Sequence, residues 1–450
     1  MNENSTKTKR KYRTLLILVL LLLTLSMIFA LLLLAGVIRI GKQDTKDTEG
    51  TEATADASEG TTEAAKNVRV APGIIEGMAP ATEVEGITVT DEMLEKGILN
   101  EGNPSRLMGV MERAARGEEI TIAYLGGSIT AGSSASPQAK RCYANLSTEW
   151  WRATFPEAKI NYVNAGIGAT DSWLGVHRVT KDVLSKEPDL VIVEYSVNDY
   201  QGINKETYDS LLRTILEYKT NPAVIALLLA GETYGFAAEH APIAFRYKVP
   251  IISYSALLTG KLVPWKKVGN TDGTHPDNPG HALIAHLLTE YYRRVLASIN
   301  EAEDPGYTVP EISESQTKCR YVGADLLYSD ELTPDTTEGF TAASVTKILF
   351  SDKGWKTTSG GTITFTIEAR EIGIAWLQKS VDPQGTYASY DLWIDGENAA
   401  TLAGVADSWG THLEYRSVLM DTKATHTVEL RPCEGNTGTE FEVLAFGIVR

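Results

Sequence analysis

The chain is poor in cysteine and in positive charge, and each shortage excludes something. Its 450 residues hold three cysteines, Cys142, Cys319 and Cys433. That is too few for a disulfide framework, and their spacing matches no zinc site. Cys319 and Cys433, both in the C-terminal part, leave two readings open: a pair, or free buried thiols. Lys and Arg number 42 against 58 Asp and Glu, a net charge of −16. That balance argues against nucleic acid or an anionic membrane surface as a partner. No internal repeat is present. A phosphate-binding loop needs Gly-x-x-x-x-Gly-Lys-Ser/Thr. Gly127 and Gly132 have the spacing, but Ser133 stands where the lysine belongs, and the glycines here do not fit Gly-x-Gly-x-x-Gly. No cofactor is expected, and no metal.

What is present divides the chain into segments. Residues 1–13 carry Lys7, Lys9, Arg10, Lys11 and Arg13, and a run of 25 residues without charge follows, Thr14 to Ile38. That length spans a bilayer's hydrocarbon core as a helix. The basic cluster before it keeps the N-terminus cytoplasmic and puts the rest outside the cell. The expectation is a single-pass protein of the cell membrane. Residues 39–85, rich in Thr, Ala, Glu, Asp and Gly, cannot bury enough apolar surface to offset their ordering entropy and read as a disordered acidic linker.

Residues 86–303 read as one α/β domain. Apolar runs end near Gly126, Asn164, Ser196, Ala230 and Tyr254, and helical patterns lie between them. The last helix covers about Pro279 to Ile299, with Pro279 suited to its first turn. The runs lack polar alternation, which fits parallel strands covered on both faces. From about residue 307 to 450 the pattern changes to period two. Ile363, Phe365 and Ile367 share one face, and Asp395-Gly396 and Glu434-Gly435 mark turns. This part predicts an all-β sandwich or jelly roll. Phe441 to Val449 is apolar on both parities and is predicted to be central. Trp376 shares parity with Ile372 and Ile374 and is assigned to the core.

Four polar signatures sit at the ends of these elements. Ser128 follows Gly126-Gly127 at the carboxyl end of a strand, in a tight turn ahead of a helix expected from about Lys140 to Trp151. In open α/β sheets that end is where ligands bind. Asp272 and His275 stand three apart in a turn-rich loop before the last helix. A carboxylate on one ring nitrogen sets the tautomer and leaves the other nitrogen free to accept a proton. If that loop folds over the sheet edge, the imidazole meets the Ser128 hydroxyl, which is a weak nucleophile until a base takes its proton. Donors for an oxyanion would be the backbone N–H of Ser128, a backbone N–H of the Gly166–Ala169 turn, and the amide of Asn198. His281 and His286 fall in the last helix as packing or solvated residues.

These blocks resemble the SGNH (GDSL-type) hydrolase family. The matches are Gly-Gly-Ser-Ile-Thr around Ser128, Asn164 to Ser172, Ser196-Val197-Asn198-Asp199, and Asp272-Gly-Thr-His275-Pro. The resemblance covers about residues 100–300. It implies a flavodoxin-like three-layer α/β/α sandwich, with Ser128 as nucleophile, His275 as base and Asp272 as its orienting partner. It also implies an oxyanion hole of Ser128, Asn198 and either Gly168 or Ala169. Gly127 and Ser196 depart from the family pattern, in which Asp and Gly are usual.

The expected function is therefore a membrane-anchored extracellular serine esterase. Its substrate would be an acylated carbohydrate or small ester, most simply an acetylated polysaccharide. A surface carbohydrate-binding protein without turnover and an O-acetyltransferase with the same residues are the alternatives. In the β part, Trp393 falls with Asp391 and Asp395 opposite Leu392 and Ile394. It is a candidate sugar-stacking residue, against a reading in which another element covers it.

Overall fold

A computed structural model describes Val70 and residues 81–300, 311–408 and 410–450. The expected membrane span, 14–38, and the basic residues before it lie outside the described residues. Among the described residues no helix is long and apolar enough to cross a membrane. Part of the expected linker is ordered. Val70 is buried, and its backbone N–H and C=O pair with the Asn300 side chain at 3.1 and 2.9 Å. Glu83–Val84 pairs with Ile87–Thr88 as a short hairpin. Low apolar content does not reveal these pairings, which rest on the distant Asn300 side chain and on a local turn.

The α/β part is built on a six-stranded sheet. Its strands are β1 (Ile98–Asn100), β2 (Ile120–Gly126), β3 (Ile160–Gly166), β4 (Leu190–Glu194), β5 (Ala223–Leu228) and β6 (Ile251–Ser253). The order across the sheet is β1-β6-β5-β4-β2-β3. The five strands β2 to β6 run parallel and follow the 2-1-3-4-5 order of doubly wound sheets. β1 is an antiparallel edge. Five apolar runs in the sequence match β2 to β6, whereas β1, three residues after a helix, is too short to show a period.

Helices cover both faces. On one face Ile120, Ile122 and Tyr124 of β2 pack with α2 (Ser105–Ala115), α4 (Tyr143–Thr154) and α8 (Asn278–Ser298). On the other, Ala123 and Leu125 of the same strand pack with α5 (Ser172–Asp182), α6 (Asn204–Leu216) and α7 (Ala237–Arg246). The remaining two labelled helices are α1 (Asp91–Gly97) and α3 (Ser128–Ala131). Caps set the starts of the two helices that flank the site. Asp171 caps α5 and Asp277 caps α8, whose first turn holds a proline.

The C-terminal strands form one connected seven-stranded sheet. They are β7 (Ala324–Leu327), β8 (Thr336–Ser344), β9 (Lys353–Gln378), β10 (Tyr390–Ile394), β11 (Glu397–Leu402), β12 (His412–Pro432) and β13 (Phe441–Val449). Pairings are antiparallel except β9 with β13. Two strands are far longer than the sequence patterns suggested. The alternation in β9 is broken at Gly360-Gly361, and its pairing with β12 shifts register between Ala369 and Glu371, so the long strand reads as separate short ones. Trp376 is 1% exposed in the core, as its parity indicated. β13 is apolar on both parities because it has two interiors to face. Val443, Phe446 and Ile448 enter the β core, whereas Leu444, Ala445 and Val449 pack toward the α5 side of the α/β part. The cysteines are free thiols.

Candidate active site

Ser128 opens α3 directly after β2, at the carboxyl edge of the parallel sheet. Its Oγ lies 2.8 Å from His275 Nε2, and His275 Nδ1 lies 2.8 Å from Asp272 Oδ2. A carboxylate only accepts, so Nδ1 carries the proton, and Nε2 is left to accept from the Ser128 hydroxyl. The other Asp272 oxygen accepts the N–H groups of Thr274 and His275 at 2.8 and 2.9 Å. Burial raises the Asp272 carboxyl. The His275 N–H, the His275 ring and the Thr274 N–H outweigh it and hold the group below the usual carboxylate range. The Asp272 carboxylate therefore stays charged beside the His275 ring.

The loop carrying both residues is braced from three sides. Asn270 N–H donates to His275 O at 2.8 Å, Glu232 N–H to Gly273 O at 2.8 Å, and the Tyr234 hydroxyl to Thr274 Oγ1 at 2.6 Å. Gly273 takes a φ of +70°, which a side chain would strain. The three-residue spacing in sequence thus becomes a fixed hook over the sheet edge.

The expected oxyanion donors surround the same hydroxyl. Ser128, Gly168, Ala169 and Asn198 line one cavity of about 1040 Å³ with Asp272 and His275. A Cβ on Gly168 would lie 3.7 Å from the Ser128 Cβ, so this turn runs beside the serine. Ala169 adopts a left-handed φ of +58°, unusual for a residue with a Cβ. A Cβ on Gly127 would lie 2.3 Å from Asn198 Oδ1. The glycine that departs from the family pattern thus leaves room for the Asn198 amide to lie against the backbone here. With Oδ1 against Gly127, the Nδ2 donor is the end farther from that backbone. Ser196, the other departure, is buried and exchanges hydrogen bonds with the Leu229 backbone, each 2.7 Å.

Several functional neighbours gave no signal in the sequence. The cavity's far wall comes from the β part: Ile348, Leu349, Phe350, Thr411 and His412. Below the oxyanion turns lie buried charges. Arg178 of α5 donates to Gly126 O and Ala165 O at 3.2 and 2.7 Å, satisfying carbonyls at the ends of β2 and β3. Asp199 lies 2.8 Å from His240 Nε2. Burial pushes the Asp199 carboxyl up to about 8 and the His240 ring down to about 3, so burial favours the uncharged form of each. Burial also raises Glu194 to about 7, beneath the Ser128 turn. Asp199 follows Asn198 in the Ser196–Asp199 block, but nothing in one sequence marks it as buried. His281 packs as expected, accepting from Tyr143 N–H and donating to Ser133 O at 3.0 Å.

Trp393 does not line this cavity. It sits on β10 with the Arg431 guanidinium 4.4 Å from its ring centre. One face of the half-buried ring therefore carries that cation. Among the described residues no cluster could hold a metal ion.

Residues 124–283 match the GDSL-like Lipase/Acylhydrolase family. A solved two-domain esterase active on acetylated mannans is 30% identical to this chain, with a TM-score of 0.71 over 82% of this chain and the whole of that one. The chain belongs to the GDSL-like lipase/acylhydrolase family. A second crystal structure of a two-domain esterase active on acetylated mannans, co-crystallised with mannopentaose, is 30% identical, with a TM-score of 0.70 over 82% of this chain and 99% of that one. No curated protein matches. As a GDSL-family chain with this two-part architecture, the protein is a serine ester hydrolase.

In this GDSL chain, Asn198→Ala is expected to lower kcat on p-nitrophenyl acetate by about 10²–10³-fold with little change in KM, as for the loss of one oxyanion donor. Steady-state kinetics with a fold check by circular dichroism test it. An unchanged kcat would remove Asn198 from the oxyanion hole.

Proposed function

We propose that the protein removes acetyl groups from a polysaccharide outside the cell. Ser128 attacks the acetyl carbonyl while His275 takes its proton and Asp272 holds the imidazole. The tetrahedral oxyanion is met by the N–H of Ser128, a backbone N–H of Gly168 or Ala169, and the Asn198 amide. His275 then returns the proton to the departing sugar oxygen. The acetyl-enzyme is cleared by water activated by the same ring. The observation that carries this reading is the Ser128–His275–Asp272 chain, 2.8 Å at each step, opening into a cavity of about 1040 Å³. That volume exceeds what an acetyl group needs and leaves room for sugar rings. The relative active on acetylated mannans supports the substrate class.

The finer placement belongs to the same proposal. The uncharged segment 14–38 behind a basic cluster anchors the chain as a single membrane span, with the catalytic part outside. The long C-terminal strands fold over their core as a sandwich. Acetate release from O-acetylated mannan and O-acetylated xylan by the full chain tests the reading, together with sedimentation of the protein with membranes. Release from at least one polymer is expected. Turnover of p-nitrophenyl acetate with no release from any polymer would sink the polysaccharide substrate. Inertness toward both would favour a binding protein. Recovery of acetylated sugar instead of free acetate would make it a transferase. Full recovery in the soluble fraction would sink the anchor.

A further inference from the structure

The C-terminal β sheet grips the α/β part at one helix, and that helix begins where the oxyanion turn ends. The turn runs from Gly166 to Thr170, and α5 starts at Ser172. Asp171 joins the two. Its Oδ1 caps α5 by accepting the N–H groups of Trp173 and Leu174 at 3.1 and 3.3 Å. Its Oδ2 accepts from Asn204 Nδ2 at 2.9 Å and from the Tyr415 hydroxyl at 2.5 Å. Tyr415 belongs to β12, far along the chain. One residue of the β sheet thus bonds a carboxylate two residues from Ala169.

The next residue but one is locked more firmly. The Trp173 indole stacks on the Tyr415 ring, centroids 4.1 Å apart and planes 1° from parallel. It fills a slot that two glycines leave in the β sheet. A Cβ on Gly373 would lie 2.3 Å from the indole, and one on Gly447 2.9 Å. Glu371 of β9 closes the slot. Its Oε1 accepts from Trp173 Nε1 at 2.8 Å, and its Oε2 lies 2.9 Å from His177 Nε2. His177 Nδ1 must donate to Trp173 O, which only accepts, at 2.7 Å. One proton is therefore shared between His177 Nε2 and Glu371 Oε2. Trp173, His177 and Glu371 are all 0% exposed. The same helix start serves the second donor as well, since the Ser172 N–H donates to Asp199, next to Asn198, at 2.8 Å.

A polar lock of this kind loses its partners if the two parts separate, and buried groups left unpaired are costly. It is a poor design for a module that only brings sugar to an independent enzyme. It suits a device that fixes geometry, because oxyanion donors work only where they are held in place. We propose that Tyr415 and Glu371 of the C-terminal sheet are positioning residues for ester hydrolysis, holding the start of α5 so that the 166–170 turn and Asn198 keep their donors on the reacting carbonyl. This rests on the reading of those groups as the oxyanion hole.

The test uses the full chain and p-nitrophenyl acetate, a substrate too small to need a sugar-binding surface. Tyr415→Phe keeps the ring stack and loses only the hydroxyl. It is expected to lower kcat by about 10- to 100-fold with KM within about twofold, the scale of a small misplacement at a reacting centre. Glu371→Ala is expected to do the same, and Glu371→Gln, which still accepts the indole proton, to recover part of the loss. Circular dichroism and thermal melts establish that each variant is folded at the assay temperature. If Tyr415→Phe does not fold, the Glu371 pair decides. A folded variant with unchanged kcat, or a change in KM alone, overturns the positioning role. Ser128→Ala separates the two failures. An active wild type silenced by Ser128→Ala, beside a fully active Tyr415→Phe, sinks this inference and leaves the esterase reading standing. An inactive wild type sinks both.

Discussion

Ser128→Ala lowers kcat on p-nitrophenyl acetate by about 10⁵–10⁶-fold while leaving KM nearly unchanged, as expected for loss of a nucleophile that acts as one unit with its base. The reason lies in the geometry. Ser128 is 9% exposed and lines the cavity, and its hydroxyl lies 2.8 Å from His275 Nε2. Removing the oxygen leaves the imidazole with no proton to take, and the carbonyl must then wait for unactivated water. His275→Ala is expected to cost a similar factor, and the double variant no more than either alone, because neither residue works without the other. Kinetics on the three variants, corrected for contaminating wild type, measure this. A single variant that keeps more than about 1% of wild-type kcat would remove that residue from the mechanism.

Asp272→Asn is the second large effect, a fall in kcat of about 10⁴-fold at neutral pH. The substitution is nearly isosteric. The retained oxygen can still accept the N–H groups of Thr274 and His275, which the carboxylate now takes at 2.8 and 2.9 Å. The loop should keep its shape, so the loss is electronic. An amide nitrogen facing His275 Nδ1 donates rather than accepts, which pushes the ring proton onto Nε2, the atom that must accept from Ser128. No charge remains to stabilise the imidazolium that forms on attack. In the wild type the Asp272 carboxyl is held below the usual range, so it stays charged as pH falls through the neutral and mildly acid region. Acid loss of activity should therefore follow protonation of other groups before Asp272. An Asn variant with more than a tenth of wild-type kcat would mean the ring is oriented by something else.

The sequence made legible whatever depends on neighbours along the chain. Apolar runs without alternation marked the parallel strands, since strands covered on both faces need no polar side. The three-residue step from Asp272 to His275 is a local fact, and the bond it predicts is local too. Asp277 and Pro279 start α8 where their types belong. Long-range features stayed hidden. The strand at Ile98–Asn100 is too short to carry a period, and Lys353–Gln378 is one strand whose glycines and register shift cut its pattern into pieces. Trp393 was read from parity alone. Parity places it on an outer face, but it takes the fold to bring Arg431 of a neighbouring strand over the ring.

Residue types and their order alone determined the class of chemistry and the elements that carry it, because nucleophile, base and orienting acid are chosen by their own functional groups. Only the tertiary structure decided that a loop of the C-terminal part walls the cavity with Ile348, Leu349 and Phe350, and that Tyr415 reaches Asp171 across 244 positions of chain. It also decided that Asn198 lies against Gly127, where a side chain would crowd it. The reason is the same in each case. Periodicity and capping act over a few residues, whereas burial and close approach are set by which surfaces the folded chain brings together, and one sequence read in order does not contain that pairing.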